Sequence, residues 1–265
     1  MKKAMTLGSL PPDKSLQEKF QLAADAGLDG LELTGVHEEA QAEEAREAAE
    51  AAGIEICDLM ATTHWKLPLS STDEAVRVEA VKGIEQSLLA AKAAGTDTIL
   101  VVPGVVDEQN RYHAALELAA KSIRELLPMA EDLGVCMALE NVWNKFLLSP
   151  VEMRDFIDQF GSDCVKAYFD VGNILLYGYP VHWIEVLGER IVRVHVKDFD
   201  TDKRQFVPLL SGSVDFPRVV NALRGVGYHG WLTAELSPYS QYRENFVHDT
   251  ARHLQWIIGN GRNGS

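Results

Sequence analysis

The chain has 265 residues, 46% apolar and 24% charged, and 39 acidic against 25 basic residues give a formal charge of −14. This composition excludes a disordered chain, and the length suits either one large α/β domain or two small ones; an α/β barrel would take residues 1–265 as a single domain, with the last few residues as a loose tail. The acidic balance excludes a nucleic-acid partner gripped along its phosphates, which needs clustered Lys and Arg, but a small phosphorylated ligand needs only a few donors.

Cys57, Cys136 and Cys164 show no paired spacing, which predicts small core residues in a reducing compartment. The N-terminus lacks the apolar core of a signal peptide, and no run of about 18 apolar residues exists. The expectation is a cytoplasmic protein with no membrane partner.

Strand and helix patterns alternate along the chain. Met5–Ser9 reads as the first strand and Ser15–Ala26 as the first helix, ended by Gly27. Leu28–Leu33 is the second strand. The helix after it, His37–Ala52, carries many alanines and an acidic face suited to solvent. Ile54–Met60 is the third strand, and a long loop precedes the helix Thr72–Ala94, which Gly95 stops. Thr98–Val102 is the fourth strand, Arg111–Leu133 the fourth helix and Val135–Glu140 the fifth strand. Ser149 and Pro150 open the next helix as cap and first residue. Val165–Asp170 is the sixth strand, His182–Leu187 is helical, and Ile191–Val196 is the seventh strand. Asp215–Arg224 is a helix with Asp215 as its N-cap. Trp231–Glu235 is the eighth strand and Glu244–Ile258 the closing helix.

The strands are apolar throughout rather than alternating, as expected when both faces of a parallel sheet are covered. Eight strand–helix units with no linker or compositional break predict a single (β/α)8 TIM barrel. A doubly wound open sheet is the alternative, but the first strand–helix turn has no G-x-G-x-x-G.

In such a barrel the chemistry sits at the C-terminal ends of the strands. Those ends carry Glu140 after VCMAL, Asp170 after KAYF, His195 within RVHVKD and Glu235 after WLTA. Each residue alone has an ordinary reading as a buried, hydrogen-bonded group. Together, three carboxylates without a cation would be very costly, and a divalent metal resolves the conflict. Three carboxylates and one imidazole suit Mn²⁺ first, then Co²⁺, with Mg²⁺ or Zn²⁺ as further candidates.

With these residues the sequence resembles the xylose isomerase-like barrel family of sugar and sugar-phosphate isomerases and epimerases. The resemblance is carried by LEN at 139–141, FDVGN at 169–173, HVKD at 195–198 and TAEL at 233–236. It is closest to the ketose 3-epimerases, including those acting on L-xylulose 5-phosphate. The resemblance implies that Glu140, Asp170, His195 and Glu235 bind the metal, and that Glu140 and Glu235 are the catalytic acid and base. A metal chelating a ketose carbonyl and its neighbouring hydroxyl would acidify the carbon-bound proton and stabilise an enediolate. Proton removal by one glutamate and return by the other to the opposite face would give the epimer.

The chain departs from the family pattern at three places. Asn173 stands where free-ketose epimerases carry a histidine. NVWNKFLL, after the fifth strand, lacks their second glutamate. The arginine expected after His195 is not at its usual spacing, although Lys203 and Arg204 follow a little later. Candidate substrate contacts are therefore His64, Trp65, Lys145, Asn173, His182, Lys197 and Arg204, with Asn144 a weaker one. Against each stands a structural reading: a loop anchor for His64 and Trp65, a surface or capping role for His182, an ion pair for Lys197. Ser211-Gly212-Ser213 could hold phosphate on backbone N–H groups or be a plain turn. Glu32, ending the second strand, could contact a ligand or balance a charge. Trp143, Trp183 and Trp231 read as core or rim packing.

A dehydratase acting on an inosose or keto-sugar would use the same metal and the same enolisation, and an aldose–ketose isomerase is a third possibility. An apurinic endonuclease would need additional histidines for a multi-zinc site, and the charge opposes it. A non-catalytic sugar-binding barrel would have no need of both Glu140 and Glu235. The expected partner is a small sugar or sugar phosphate, in a monomer, homodimer or homotetramer.

Overall fold

A computed structural model describes residues 1–61 and 63–261; the tail expected at the C-terminus lies outside the described residues. Eight parallel strands close a barrel. They are β1 (Lys2–Thr6), β2 (Gly30–Leu33), β3 (Glu55–Met60), β4 (Thr98–Val101), β5 (Cys136–Glu140), β6 (Val165–Asp170), β7 (Ile191–Val196) and, at the end, β10 (Trp231–Ala234). Strand β1 closes the ring by pairing with both β2 and β10. Around it lie α1 (Leu16–Asp25), α2 (Glu39–Ala52), α3 (Glu74–Ala94), α4 (Tyr112–Leu133), α5 (Pro150–Asp158), α7 (Pro180–Leu187), α8 (Phe216–Gly225) and α9 (Arg243–Asn260). Among the described residues no helix is long and apolar enough to cross a membrane.

The helix ends follow local chemistry. Ser15 and Glu18 form a reciprocal capping box at α1, and Ser149 with Glu152 does the same at α5, with Pro150 in its first turn. Asp73 and Asp215 cap α3 and α8 through their side chains. Gly53, Gly95 and Gly134 end α2, α3 and α4 in the left-handed conformation that only glycine adopts freely.

Three features depart from the sequence expectation. The first strand lies nearer the N-terminus, at Lys2–Thr6, and Leu7–Ser9 is a 3₁₀ turn. The Ser9 hydroxyl meets Thr6 Oγ1 at 2.7 Å and donates to the Leu236 carbonyl, so the chain turns over the barrel mouth instead of continuing the strand. The lysines hid the strand's start, yet Lys2 only reaches from the barrel's lower rim to Glu55, 2.5 Å away. A short helix, α6 (Val171–Ile174), follows β6 directly. Finally, β8 (Asp198–Asp200) and β9 (Gln205–Val207) form an antiparallel hairpin over the mouth.

Most of the apolar core lies between barrel and helices. Alanines let the helices come close: α2 buries Ala42, Ala45, Ala48 and Ala49 and leaves its glutamates outside. Within the barrel the described residues form two small apolar clusters, Ala4–Cys57–Trp231 and Leu100–Ala138–Tyr168. The rest is polar. Glu32, Asp58 and His195 are fully buried there, and Arg193 reaches Asp58 Oδ2 at 3.3 Å, the Cys57 carbonyl, and Asp97 Oδ1 at the lower rim at 2.6 Å.

Two register shifts accompany this arrangement. Leu31 pairs with Ile56 but Glu32 with Asp58, making Cys57 an extra residue in β3. Ala167 pairs with Ile191 but Tyr168 with Arg193, making Val192 an extra residue in β7. Such bulges re-aim side chains, and the residues beside them, Glu32, Asp58, Tyr168 and Arg193, form the polar axis.

Removing the guanidinium leaves the buried Asp58 carboxylate without its counter-charge. Arg193→Ala should therefore cost about 3–5 kcal/mol in urea unfolding. Asp97→Asn, at a side chain 75% exposed, should stay within about 0.5 kcal/mol. Equal losses in the two variants would contradict this account of the axis.

Candidate metal centre and mouth of the barrel

Glu140 and Asp170 are the last residues of β5 and β6, His195 is one from the end of β7, and Glu235 directly follows β10. The register sets Asp170 and Thr233 on either side of His195. Each carboxylate thus turns inward at the C-terminal rim. His195 Nδ1 lies 2.9 Å from Glu140 Oε1, 3.1 Å from Glu235 Oε2 and 3.9 Å from Asp170 Oδ2. One ligand atom from each of these four residues lies within 4.8 Å of the other three, so the group could hold a metal ion.

The family motifs are the scaffolding of this group. The Asn141 side chain accepts from the Asp170 amide and donates to the Asp170 carbonyl, both at 2.8 Å, which extends the β5–β6 ladder through a side chain. Asp170 Oδ1 caps α6 through the Asn173 amide at 2.7 Å, which turns Oδ2 toward the cluster. Asn173 Nδ2 in turn donates to the Asn141 carbonyl. Gly172 is required by close approach: a Cβ there would stand 2.6 Å from Lys197 Cβ and 3.0 Å from the Lys197 carbonyl oxygen. Asp198 of HVKD is buried and accepts from the amides of Phe199, Gly212 and Val214.

Charge compensation is local. Lys197 Nζ lies 3.0 Å from Asp170 Oδ2 and 2.6 Å from Glu235 Oε2. Burial raises the Glu140 carboxyl, against the pull of its hydrogen bond to His195. Burial would raise Glu235 as well, but the charges of His195 and Lys197 outweigh it and hold that carboxyl far below its ordinary range. Burial works against a charged imidazole at His195, yet Glu32 and Glu235 keep it well above its usual value. The donor set suits a hard or borderline divalent cation. Asp170 Oδ2 fits it too: it is buried in the cluster and, beyond its ion pair with Lys197, accepts no hydrogen bond.

Two clefts open above the cluster and share Met60, Lys197 and Glu235. One, of about 580 Å³, runs past Thr6, Ser9, Thr34 and Ser237 toward Phe206. The other, of about 300 Å³, is walled by His64, Trp65, Glu140, Trp143 and Asn173. His64 is buried with Nδ1 unpartnered, and burial lowers its pKa to about 4. Its ring meets that of Trp65 edge-on, 5.7 Å away. Trp143 is 44% exposed, donates to the Asn173 carbonyl, and stacks on Phe206 with centroids 5.0 Å apart.

Of the candidate substrate contacts, His64, Trp65, Asn173 and Lys197 line the smaller cleft. Lys197 is tied into the carboxylates as an ion pair rather than left free for phosphate. The remaining candidates line neither cleft. His182 is exposed on the first turn of α7, beside Tyr179, and faces an outer cavity with Arg218, because Pro180 starts that helix outside the barrel. Arg204 is exposed in the hairpin turn, and Lys145 is exposed in the loop after β5. Asn144 is buried and spends its side chain on the Gly104 carbonyl and the Phe146 amide. The Ser211–Ser213 amides are occupied by Pro208, Asp198 and Phe199, which removes them as a phosphate cradle.

Phe206 and the hydroxyl-lined wall escaped sequence reading. The hairpin had a signal in DFD and QFV flanking a polar TDKR.

Residues 20–257 match the xylose isomerase-like TIM barrel family. The chain belongs to that family. It is 25% identical over 260 residues to the L-ribulose-5-phosphate 3-epimerase UlaE of Salmonella typhi, covering 94% of this chain and 91% of that one. A D-tagatose 3-epimerase-like protein superposes with a TM-score of 0.85 at 21% identity, covering 99% of this chain and 98% of the other. The IOLI protein, solved with a zinc atom, superposes with a TM-score of 0.84 at 17% identity over the whole of both chains.

The tight seat of Gly172 against Lys197 is testable by substitution. Gly172→Ala should cost about 1–3 kcal/mol in urea unfolding, because backbone must yield as well as a side chain. Gly225→Ala, where a Cβ meets nothing within 4 Å, should be neutral or slightly stabilising.

Proposed function

We propose that the protein is a metal-dependent epimerase or isomerase of a small sugar or sugar phosphate, most simply a ketose or ketose-phosphate 3-epimerase. The observation that carries this reading is the convergence of Glu140 and Glu235, from strands separated by β6 and β7, on His195 Nδ1 beneath two open clefts. The 3-epimerase relatives named above support the same reading.

Glu140, Asp170, His195 and Glu235 would hold the cation, Mn²⁺ being the first candidate for such a donor set. When bound, it would supply Lewis acidity at a carbonyl and the hydroxyl beside it. The chain's own residues do the rest. The Trp65 and Trp143 faces offer stacking surfaces for the apolar side of a sugar and keep water from it. His64, buried and packed edge-on against Trp65, holds that wall of the cleft in place. The Lys197 ammonium, held between Asp170 and Glu235, adds positive charge to a site in which negative charge would develop.

One of the two glutamates takes the carbon-bound proton next to the carbonyl. The electrons of that bond form the carbon–carbon double bond, and those of the carbonyl move to its oxygen. The other glutamate, as the acid, returns a proton from the opposite face, which inverts the carbon. Solvent exchange resets the pair.

The experiment is proton exchange. Metal-stripped protein reloaded with Mn²⁺ is incubated in D₂O with ketoses, their phosphates and inososes. Deuterium should enter beside the carbonyl with formation of the epimer, and Glu140→Gln or Glu235→Gln should slow it by about 10²-fold or more. Failure of the wild type to bind Mn²⁺, or exchange indifferent to both substitutions, would overturn the reading. An enone product instead of an epimer would reassign the enzyme as a dehydratase.

A further inference from the structure

Beneath the rim, the barrel axis carries a chain of polar contacts that the proton-transfer chemistry does not use. Glu32 on β2 is fully buried, and its Oε2 lies 2.6 Å from His195 Nε2, the shortest contact that ring makes. The Tyr168 hydroxyl, also fully buried, lies 3.2 Å from the same Glu32 oxygen and 3.3 Å from Asp58 Oδ2. Asp58 is in turn held by Arg193. Glu32 Oε1 has no hydrogen-bond partner. The side chain is thus aimed at the imidazole with its other oxygen left unsatisfied.

Stability alone does not account for this. A buried carboxylate is costly, and replacing buried ionic groups with apolar ones of similar size is often neutral or stabilising. The same interior accepts Leu100 and Ala138 a short distance away.

The imidazole supplies the reason. Its two nitrogens face opposite ways: Nδ1 toward Glu140 and Glu235, Nε2 toward Glu32. To ligate, the ring gives up the positive charge it holds in the metal-free cluster and keeps one proton. If Nδ1 held it, the ring would present N–H to the carboxylates and could not ligate. With Nε2–H donated to Glu32, the Nδ1 lone pair points where the three carboxylates converge.

We propose that Glu32 is a positioning residue for the metal centre, selecting the Nε2–H form of His195 and, with Tyr168 behind it, fixing the ring. This rests on the metal-centre reading above, and it assigns to Glu32 no contact with substrate. Carboxylate partners of this kind tune a ligating histidine by about 10–100-fold in metal affinity.

The test measures Mn²⁺ affinity by competition with a fluorescent chelator, beside thermal unfolding of the metal-free protein. E32L should bind Mn²⁺ about 10–100-fold more weakly than wild type, with a metal-free unfolding midpoint no lower than the wild type's. E32Q keeps an acceptor for Nε2–H but loses the charge, and should fall between the two. In ¹⁵N-histidine spectra of the zinc-loaded protein, the His195 Nε2 proton should show a strongly hydrogen-bonded shift in wild type, a smaller one in E32Q, and lose that hydrogen-bond shift in E32L.

Wild-type affinity in E32L, or a loss that merely tracks a lowered unfolding midpoint, overturns the proposal. If E32L does not fold, E32Q decides: about a tenfold loss with an unchanged midpoint supports it, and no loss overturns it. Asp170→Asn separates the two levels. If wild type binds Mn²⁺, Asp170→Asn does not, and E32L binds as wild type does, the metal centre stands and only the role of Glu32 falls. If wild type does not bind Mn²⁺, the metal centre itself falls, and the role of Glu32 with it.

Discussion

Crowding of negative charge at the barrel mouth is the constraint from which the rest follows. Glu140 and Asp170 are almost wholly removed from solvent and Glu235 is two-thirds covered. Like charges at such distances in a protein interior repel strongly. Within the chain, His195 and Lys197 offset the repulsion. Both stand on or just beyond β7, so one strand end supplies the counter-charge for the carboxylates around it. Their placement has to be accurate, and this is why asparagine side chains knit β5 to β6 and why a glycine lets α6 lie against Lys197.

Stability and chemistry are divided between the two faces of the sheet. Outside the barrel, alanine-lined helices close on apolar strand faces and form nearly all of the hydrophobic core. Inside, the axis is given over to Glu32, Asp58, Tyr168, Arg193 and His195, connected from the rim cluster down to Asp97 at the lower edge. Bulges in β3 and β7 accompany that connection. The outer shell must therefore carry the energetic cost of a polar interior, and the motif residues lie at the top of that interior.

What could be read from sequence follows the same division. Apolar strand runs with a carboxylate or histidine at their ends announce both the barrel and its rim, so the four cluster residues and β6 and β7 were legible. Elements whose identity depends on partners distant in sequence were not. Lys2 and Lys3 look unlike a strand until β1 is seen pairing with β10 at its lower rim. Glu32 looks like a rim residue, and only the bulge against β3 reveals that it lies beneath His195. Asp198 looks like one more acid, but its two oxygens organise the loop that the sequence left open between a phosphate cradle and a plain turn. His182, Lys145 and Arg204 stand near strand ends in sequence. Helix α7 and two exposed loops leave them out of the lining of either cleft.

This geometry also separates reactivity from selectivity. The residues able to move a proton or hold a cation come from β5, β6, β7 and β10, and their positions are locked by one another. The larger cleft is walled on its far side by Thr6, Ser9 and Thr34 from β1, the turn after it and the loop after β2, together with Ser237 beyond β10. Thr6 and Ser9 already share a hydrogen bond, and Ser9 also holds the Leu236 carbonyl, so this wall is a rigid hydroxyl surface. Lys197, common to both clefts, has its charge committed to Asp170 and Glu235. A change in the β1 and β2 loops would reshape the larger cleft without disturbing the carboxylates. A change in the β5–β7 motifs would disturb the carboxylates first, because Asn141, Gly172 and Asn173 hold them before they touch anything else.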